Sequence, residues 1–427
     1  MNVVMLTNTY TPHVGGVARS VEAFTQEYRG RGHRVLVVAP EFEDQPQNEV
    51  DVVRIPAIQK FNGSDFSVVL PVSGLLSEAL DAFHAEIVHA HHPYLLGMTA
   101  LRIARYRELP LVFTHHTLYE RYTHYVPADS PALKRFVIEL ATRYANLSDQ
   151  VFAPSESIER LLRERGVRAP IAVVPTGVSL EGFAKGDGPR FRTAMGIPAD
   201  AFVIGYVGRL APEKNLSFLA EAVAGFLEAD ARAHFLLAGK GPLETELRSI
   251  FFRHGVSGRL HVTGILRAEA LADAYHAMDL FVFASKSETQ GLVLAEAMAA
   301  GVPVVALDAP GARETIEDGC NGRLLCEETV EAFMHALQWA AGLPAAKMRE
   351  LEQCARKTAE TFSMPRSADK ALSCYEALRG QAFLVRPETD EQWTRVMHLI
   401  KAEWDILEGM TRAAGAALGP ERRNQAP

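Results

Sequence analysis

The chain has 427 residues, 48% of them hydrophobic and 22% charged, with 44 Lys plus Arg against 52 Asp plus Glu and a formal net charge of -8. This composition excludes a disordered chain, a long coiled coil and a miniature disulfide scaffold, and it gives room for two domains of ordinary size. The negative balance removes any global attraction to nucleic acid or anionic lipid and leaves only local basic patches for such partners.

In chain order, Met1 to Thr7 runs straight into a strand-like segment, without the basic start and long apolar stretch of a signal peptide, so export is not expected. Short β-branched runs recur at Val3 to Leu6, Val35 to Ala39, Ile87 to Ala90, Leu111 to Thr114 and Val151 to Ala153. Longer stretches with helical periodicity, such as Ala18 to Arg29, separate them. Strands alternating with helices predict a parallel sheet covered on both faces. After a Gly- and Pro-containing stretch from Pro175 to Pro198, the alternation restarts at Phe202 to Val207, His234 to Ala238, Leu260 to Val262, Leu280 to Ala284 and Val302 to Ala306. The fold class is therefore α/β, with two Rossmann-like doubly wound domains whose strand ends are expected to face a cleft.

The longest weakly charged stretch, from about Thr289 to Leu307, is interrupted by Glu296, Gly301 and Pro303, so no membrane span is expected. From Pro387 onward, Trp393, Met397, Ile400, Trp404 and Leu407 recur at steps of three and four, the stripe of one more amphipathic helix. That stripe packs on the protein's own body or on a second subunit; the competing reading is an interfacial membrane anchor. The cysteines, Cys320, Cys326, Cys354 and Cys374, show neither a Cys-x-x-Cys pair nor a His at zinc-ligand spacing, and read as reduced thiols of a cytoplasmic protein.

Several loops carry candidate chemistry. Asn8 to Val17 joins a strand to a helix through Gly15-Gly16, which suits a phosphate approaching backbone N–H groups and equally suits a tight turn. Gly208 to Asn215 follows a strand in the second half and sets Arg209 and Lys214 at a strand end. There they can grip a diphosphate or remain solvated beside Glu213. In the segment from Ser287 to Val305, Gly291 opens a helix and Glu296 lies inside an apolar run. A carboxylate there needs either sugar or ribose hydroxyls or an internal Arg partner. His89, His91 and His92, followed by His115 and His116, close two strands. Alternating strand faces argue against a shared metal and leave a histidine near a reacting group.

With Gly15-Gly16, Gly208-Arg209 to Glu213-Lys214 and the Glu288 to Glu296 block in this order over about residues 1 to 380, the chain resembles glycosyltransferase family 4, retaining enzymes of GT-B fold. The resemblance implies that Arg209 and Lys214 hold the donor diphosphate, assisted by backbone at Gly16, Gly291 and Leu292. It implies Glu296 at the donor ribose, Glu288 beside the transferred sugar, Gly264 and Ile265 at the nucleobase, and His116 near the reacting sugar, with His115 as the competing choice. No metal and no cofactor are implied beyond the nucleotide-sugar donor.

The run Thr114 to Pro127 and the segment Ser287-Glu288-Thr289-Gln290-Gly291 resemble bacterial α-glucosyltransferases acting on diacylglycerol, which implies UDP-glucose and a lipid acceptor at the inner face of the membrane. Lys134, Arg135 and Arg143, opposed by Glu139, form a small patch for peripheral membrane contact or a solvated helix face. The expected organisation is an acceptor-side domain over 1–180, a donor domain over 181–360, a helix crossing back over 361–380, and a tail over 381–427 that docks on the body or mediates a homodimer. A soluble hydroxyl acceptor, a sugar-nucleotide epimerase or hydrolase of the same fold, and a non-catalytic binding subunit are the alternatives.

Overall fold

The computed structural model describes residues 1–13, 15–58, 68–69, 74–123 and 130–384. The tail stripe from Trp393 to Leu407 and the end of the run at His124 to Pro127 lie outside them. The chain divides into two units, Met1–Pro175 with the stretch from Ser367 onward, and Thr176–Arg366.

The first unit runs β1 (Asn2–Leu6), α1 (Gly16–Gly30), β2 (Arg34–Pro40), β3 (Val52–Ile55), β4 (Ala57–Ile58), β5 (Val68–Val69), α2 (Gly74–Phe83), β6 (Ile87–Ala90), α3 (Leu96–Tyr106), β7 (Leu111–Thr114), α4 (Pro131–Leu147), β8 (Gln150–Ala153), α5 (Glu156–Glu164) and β9 (Ile171–Val173). Its sheet has the order β3-β2-β1-β6-β7-β8-β9, and every pair in it is parallel. A parallel sheet hides both faces, and the central strands show it: β6 and β7 are buried at every residue. Helix α1 turns Ala18, Val21, Phe24, Thr25 and Tyr28 inward at three- and four-residue steps. Helix α4 starts at Pro131 with the Ser130 hydroxyl accepting from the Leu133 N–H at 3.2 Å.

The second unit runs α6 (Leu180–Ala184), α7 (Gly188–Met195), β10 (Phe202–Val207), α8 (Leu216–Ala229), β11 (Ala233–Ala238), α9 (Glu244–Arg253), β12 (Leu260–Gly264), α10 (Ala268–His276), β13 (Leu280–Phe283), α11 (Leu292–Ala299), β14 (Val304–Leu307), β15 (Gly322–Leu325), α12 (Val330–Ala341) and α13 (Ala345–Thr361). Its sheet order is β12-β11-β10-β13-β14-β15, again parallel. Strand order reverses direction once in each sheet, between β1 and β6 and between β10 and β13, and a doubly wound sheet binds its ligand outside the carboxyl ends at such a point. Helix α14 (Met364–Leu384) carries the chain from the second unit into the first and overlaps the crossing helix expected over 361–380.

Reduced thiols throughout is the expectation that fails. Cys320 and Cys354 form a disulfide with Cα atoms 5.9 Å apart, while Cys326 and Cys374 are free. The cysteines are 34 residues apart, and no local motif signals a pairing made by folding α13 back beside the turn before β15. Among the described residues, no helix is long and apolar enough to cross a membrane.

Candidate active site

The reversal point of the second unit gathers most of the expected residues. Strand β10 ends at Val207, and the chain turns through Arg209 into a short 3-10 helix, Pro212–Lys214. Close approach explains the glycines here. A Cβ on Gly239, after β11, would stand 1.9 Å from the Gly208 carbonyl oxygen, and the Gly239 N–H donates to the Gly264 carbonyl at 2.8 Å. Gly264 therefore ends β12 beside the same strand ends, with Ile265 53% exposed next to it.

The cations are paired. Arg209 bonds Glu213, and Lys214 bonds Glu288 across 74 residues of sequence. Ser285 and Ser287 lock the arrangement: the Ser287 hydroxyl donates to the Glu213 carbonyl oxygen at 3.0 Å and the Ser285 hydroxyl to Glu288 Oε1 at 3.1 Å. Burial pushes the Glu213 carboxyl up, but the Arg209 hydrogen bond, a backbone N–H and the charges of Arg209 and Lys214 outweigh it and hold the group below the usual carboxylate range. Two cations are thus held beside two carboxylates at one strand end.

Helix α11 starts on Gly291 in the left-handed region, φ 73°, with no side-chain cap, so its first N–H groups are open to an anion at Leu292. Glu296 is 1% exposed in this helix. The internal partner that burial requires includes Tyr275 of α10, whose hydroxyl donates to Glu296 Oε2 at 2.8 Å. Gln290, before the glycine, accepts from the Thr176 N–H and donates to the Thr176 carbonyl, both at 2.6 Å, so its amide acts as one rung of a strand ladder.

In the first unit, α1 opens at Gly16 after Gly15, without a side-chain cap, and a Cβ on Gly16 would meet nothing within 4 Å. His116 follows β7 and is half-buried, whereas His115 is 1% exposed and packs edge-on against Phe113 and Tyr119. Of the two adjacent histidines, His116 is the accessible one. His91 Nδ1 lies 2.9 Å from His116 Nε2, and His92 Nδ1 accepts from the Asn8 N–H at 3.1 Å. Burial pushes His89, His92 and His115 down to about 3, with His13 acting second on His92 and Arg165 second on His115. In the basic patch, Arg143 is paired with Glu139 at 2.6 Å. Among the described residues, the sole cluster with metal-ligating side chains is Glu317, Cys320 and Cys354, and its two thiols are in the disulfide. Tyr275 and Ser285 carry no signal in the sequence, while Ser287 and Gln290 stand in the segment Ser287 to Gly291 without a role of their own.

A family model described as Glycosyltransferase Family 4 matches residues 14–181, and one described as Glycosyl transferases group 1 matches residues 201–341. The chain is 29% identical over 330 residues to an alpha-monoglucosyldiacylglycerol synthase of Streptococcus pneumoniae, covering 76% of this chain and 75% of that protein. It is 30% identical over 397 residues to a GDP-mannose-dependent alpha-mannosyltransferase of Mycolicibacterium smegmatis, covering 90% and 99%. Among solved structures, the Anabaena protein HepE, in complex with UDP and glucose, superposes with a TM-score of 0.70 at 22% identity, covering 88% of this chain and 99% of that one.

Proposed function

The chain belongs to glycosyltransferase family 4, and from that premise we propose that it is a metal-independent, retaining hexosyltransferase moving an α-linked glucose from UDP-glucose to a hydroxyl of diacylglycerol or a related lipid. The observation that carries the reading is the pairing of Arg209 with Glu213 and Lys214 with Glu288 at the reversal point of the second sheet. When the bond between the sugar and the diphosphate breaks, negative charge grows on the leaving phosphate oxygens. Arg209 and Lys214 stabilise that charge, the task a divalent metal performs elsewhere, and the N–H groups of Gly291 and Leu292 add to it.

Glu288 releases Lys214 to the phosphate and accepts hydrogen bonds from the sugar hydroxyls. Glu296 accepts from the ribose, while Gly264 and Ile265 offer backbone to the base and Gly16 to the phosphate. His116, neutral and half-buried, donates a hydrogen bond to the transferred sugar. Retention follows from attack on the face the diphosphate leaves, with a leaving phosphate oxygen accepting the acceptor's proton, so no protein nucleophile is needed. The likeness to alpha-monoglucosyldiacylglycerol synthases supports the lipid acceptor, and with it action at the cytoplasmic face of a membrane. The mannosyltransferase, matched over 99% of its length, supports GDP-mannose as the second donor reading.

Release of nucleoside diphosphate from UDP-glucose and GDP-mannose, in excess chelator with and without diacylglycerol micelles, tests the reading. Release from UDP-glucose that depends on micelles is expected. Arg209→Ala and Lys214→Ala each lower kcat by about 10²–10³ with the fold intact. Wild-type turnover in either variant, or turnover only with an added divalent metal, refutes the donor site as described.

A further inference from the structure

His91 has no part in the reaction just described, yet it is 1% exposed at the carboxyl end of β6 and touches the one histidine that does. Its Nδ1 stands 2.9 Å from Nε2 of His116, and the two rings stack with centroids 5.2 Å apart and planes 24° from parallel. Its other nitrogen, Nε2, is buried with no hydrogen-bond partner among the described residues.

One proton lies between the two imidazoles, and its placement has two solutions. If His116 donates from Nε2, the neutral His91 must carry its own proton on Nε2, an N–H donor buried without an acceptor. If His91 donates from Nδ1, its Nε2 is left as a bare lone pair. An orphaned buried N–H is the rarer of the two defects, so the second solution is preferred. Protonating either ring is no escape, because among the described residues the groups acting on His91 are His89, His116 and His92, those acting on His116 are His92, His89 and His115, and none of these is a carboxylate. Burial and these neighbours hold both rings neutral.

We infer that His91 is a positioning residue that donates its Nδ1–H to Nε2 of His116 and thereby fixes His116 as the neutral Nδ1–H tautomer, a hydrogen-bond donor that cannot act as a base through Nε2. This rests on the reading that His116 serves the transferred sugar. It also assigns that service a direction: His116 gives a hydrogen bond to a sugar oxygen and takes no proton from the acceptor.

The test uses the full-length chain with UDP-glucose and diacylglycerol micelles. His91→Phe removes the donor and keeps a flat ring; His91→Asn returns an N–H donor near the Nδ1 position. His91→Phe is expected to lower kcat about 10–100-fold, the usual cost of losing a partner that orients a functional histidine, with donor KM changed less than about threefold. His91→Asn is expected to recover most of the loss.

Long-range ¹⁵N–¹H spectra of histidine-labelled protein are expected to show His116 protonated at Nδ1 in the wild type and a mixture of tautomers in His91→Phe. A wild-type spectrum with His116 protonated at Nε2 overturns the inference even where no variant folds. Loss of turnover in His116→Ala with unchanged kcat in His91→Phe overturns it alone, and full turnover in His116→Ala overturns it together with the role given to His116.

Discussion

At the scale of single residues, the unusual feature is a carboxylate buried in an apolar helix. Glu296 is 1% exposed, and the burial announces itself in the sequence because Leu294, Ala295, Ala297 and Met298 around it are apolar. What stabilises it does not, because Tyr275 lies on a different helix and the spacing of 21 residues carries no periodic meaning. The Tyr275 hydroxyl fixes Oε2 and so orients the other carboxylate oxygen. A hydrogen bond to a charged group contributes about 1.5–3 kcal/mol. Tyr275→Phe keeps the ring in its apolar packing and removes the hydroxyl, which bonds Glu296 at 2.8 Å and the Val293 carbonyl at 3.5 Å, so donor KM is expected to rise about tenfold with kcat changed little, measured by initial rates over a range of UDP-glucose. An unchanged KM would mean that Glu296 needs no help to face its ligand. The same logic separates His115 from His116: adjacent in sequence and indistinguishable by type, they differ because one packs between Phe113 and Tyr119 while the other stacks on His91.

At the scale of elements, the two helices assigned to the donor phosphate both begin on glycine. α4, α5 and α12 start under a serine or threonine hydroxyl, whereas α1 and α11 start on Gly15 and Gly291 with no side-chain cap. Paired glycines and a glycine before an apolar helix are legible patterns, and both fall at reversal points of strand order. The disulfide from Cys320 to α13 was not legible, because its partners meet only after β15 and α12 have folded between them. Closing a loop of 34 residues restrains the unfolded chain by about 4 kcal/mol in the entropic account, an upper figure for the native bond. Cys354→Ser, or dithiothreitol on the wild type, is expected to lower the unfolding midpoint of the second unit by several degrees and leave turnover at low temperature unchanged. Calorimetry with and without reductant checks this; coincident traces would mean the bond contributes nothing.

At the scale of the whole molecule, alternation of strand and helix was enough to read two doubly wound sheets, and Ile87–Ala90, Leu111–Thr114 and Phe202–Val207 have the bounds their apolar runs indicate. In the two parallel sheets, the strands that escaped, β3, β9 and β15, are all edge strands. Covered on fewer sides, they are only partly buried, and Arg54 and Arg323 interrupt the apolar runs of β3 and β15. The central strands of the first sheet carry a cost of their own, since His89, His91, His92, His115 and His116 end them as neutral, buried or half-buried imidazoles. Burial holds His89, His92 and His115 near 3, while the same side chains titrate at about 6.5 in the unfolded chain. Between these values the unfolded chain binds protons that the native chain refuses, so stability is complete above pH ~6.5 and is lost as pH falls below it. Each such histidine costs about 1.4 kcal/mol per pH unit, and the three together about 4. Urea unfolding is therefore expected to be flat from pH 8 to 7 and to weaken steeply from 6.5 to 5.5, with amide exchange in β6 and β7 accelerating before that of β10 and β13. Because His116 stays neutral across this range, kcat measured on the folded fraction should show no histidine inflection between pH 6 and 8. A midpoint constant down to pH 5 would mean that the five rings are already charged or solvated in the native protein, and the donor-only role of His116 would fall with it.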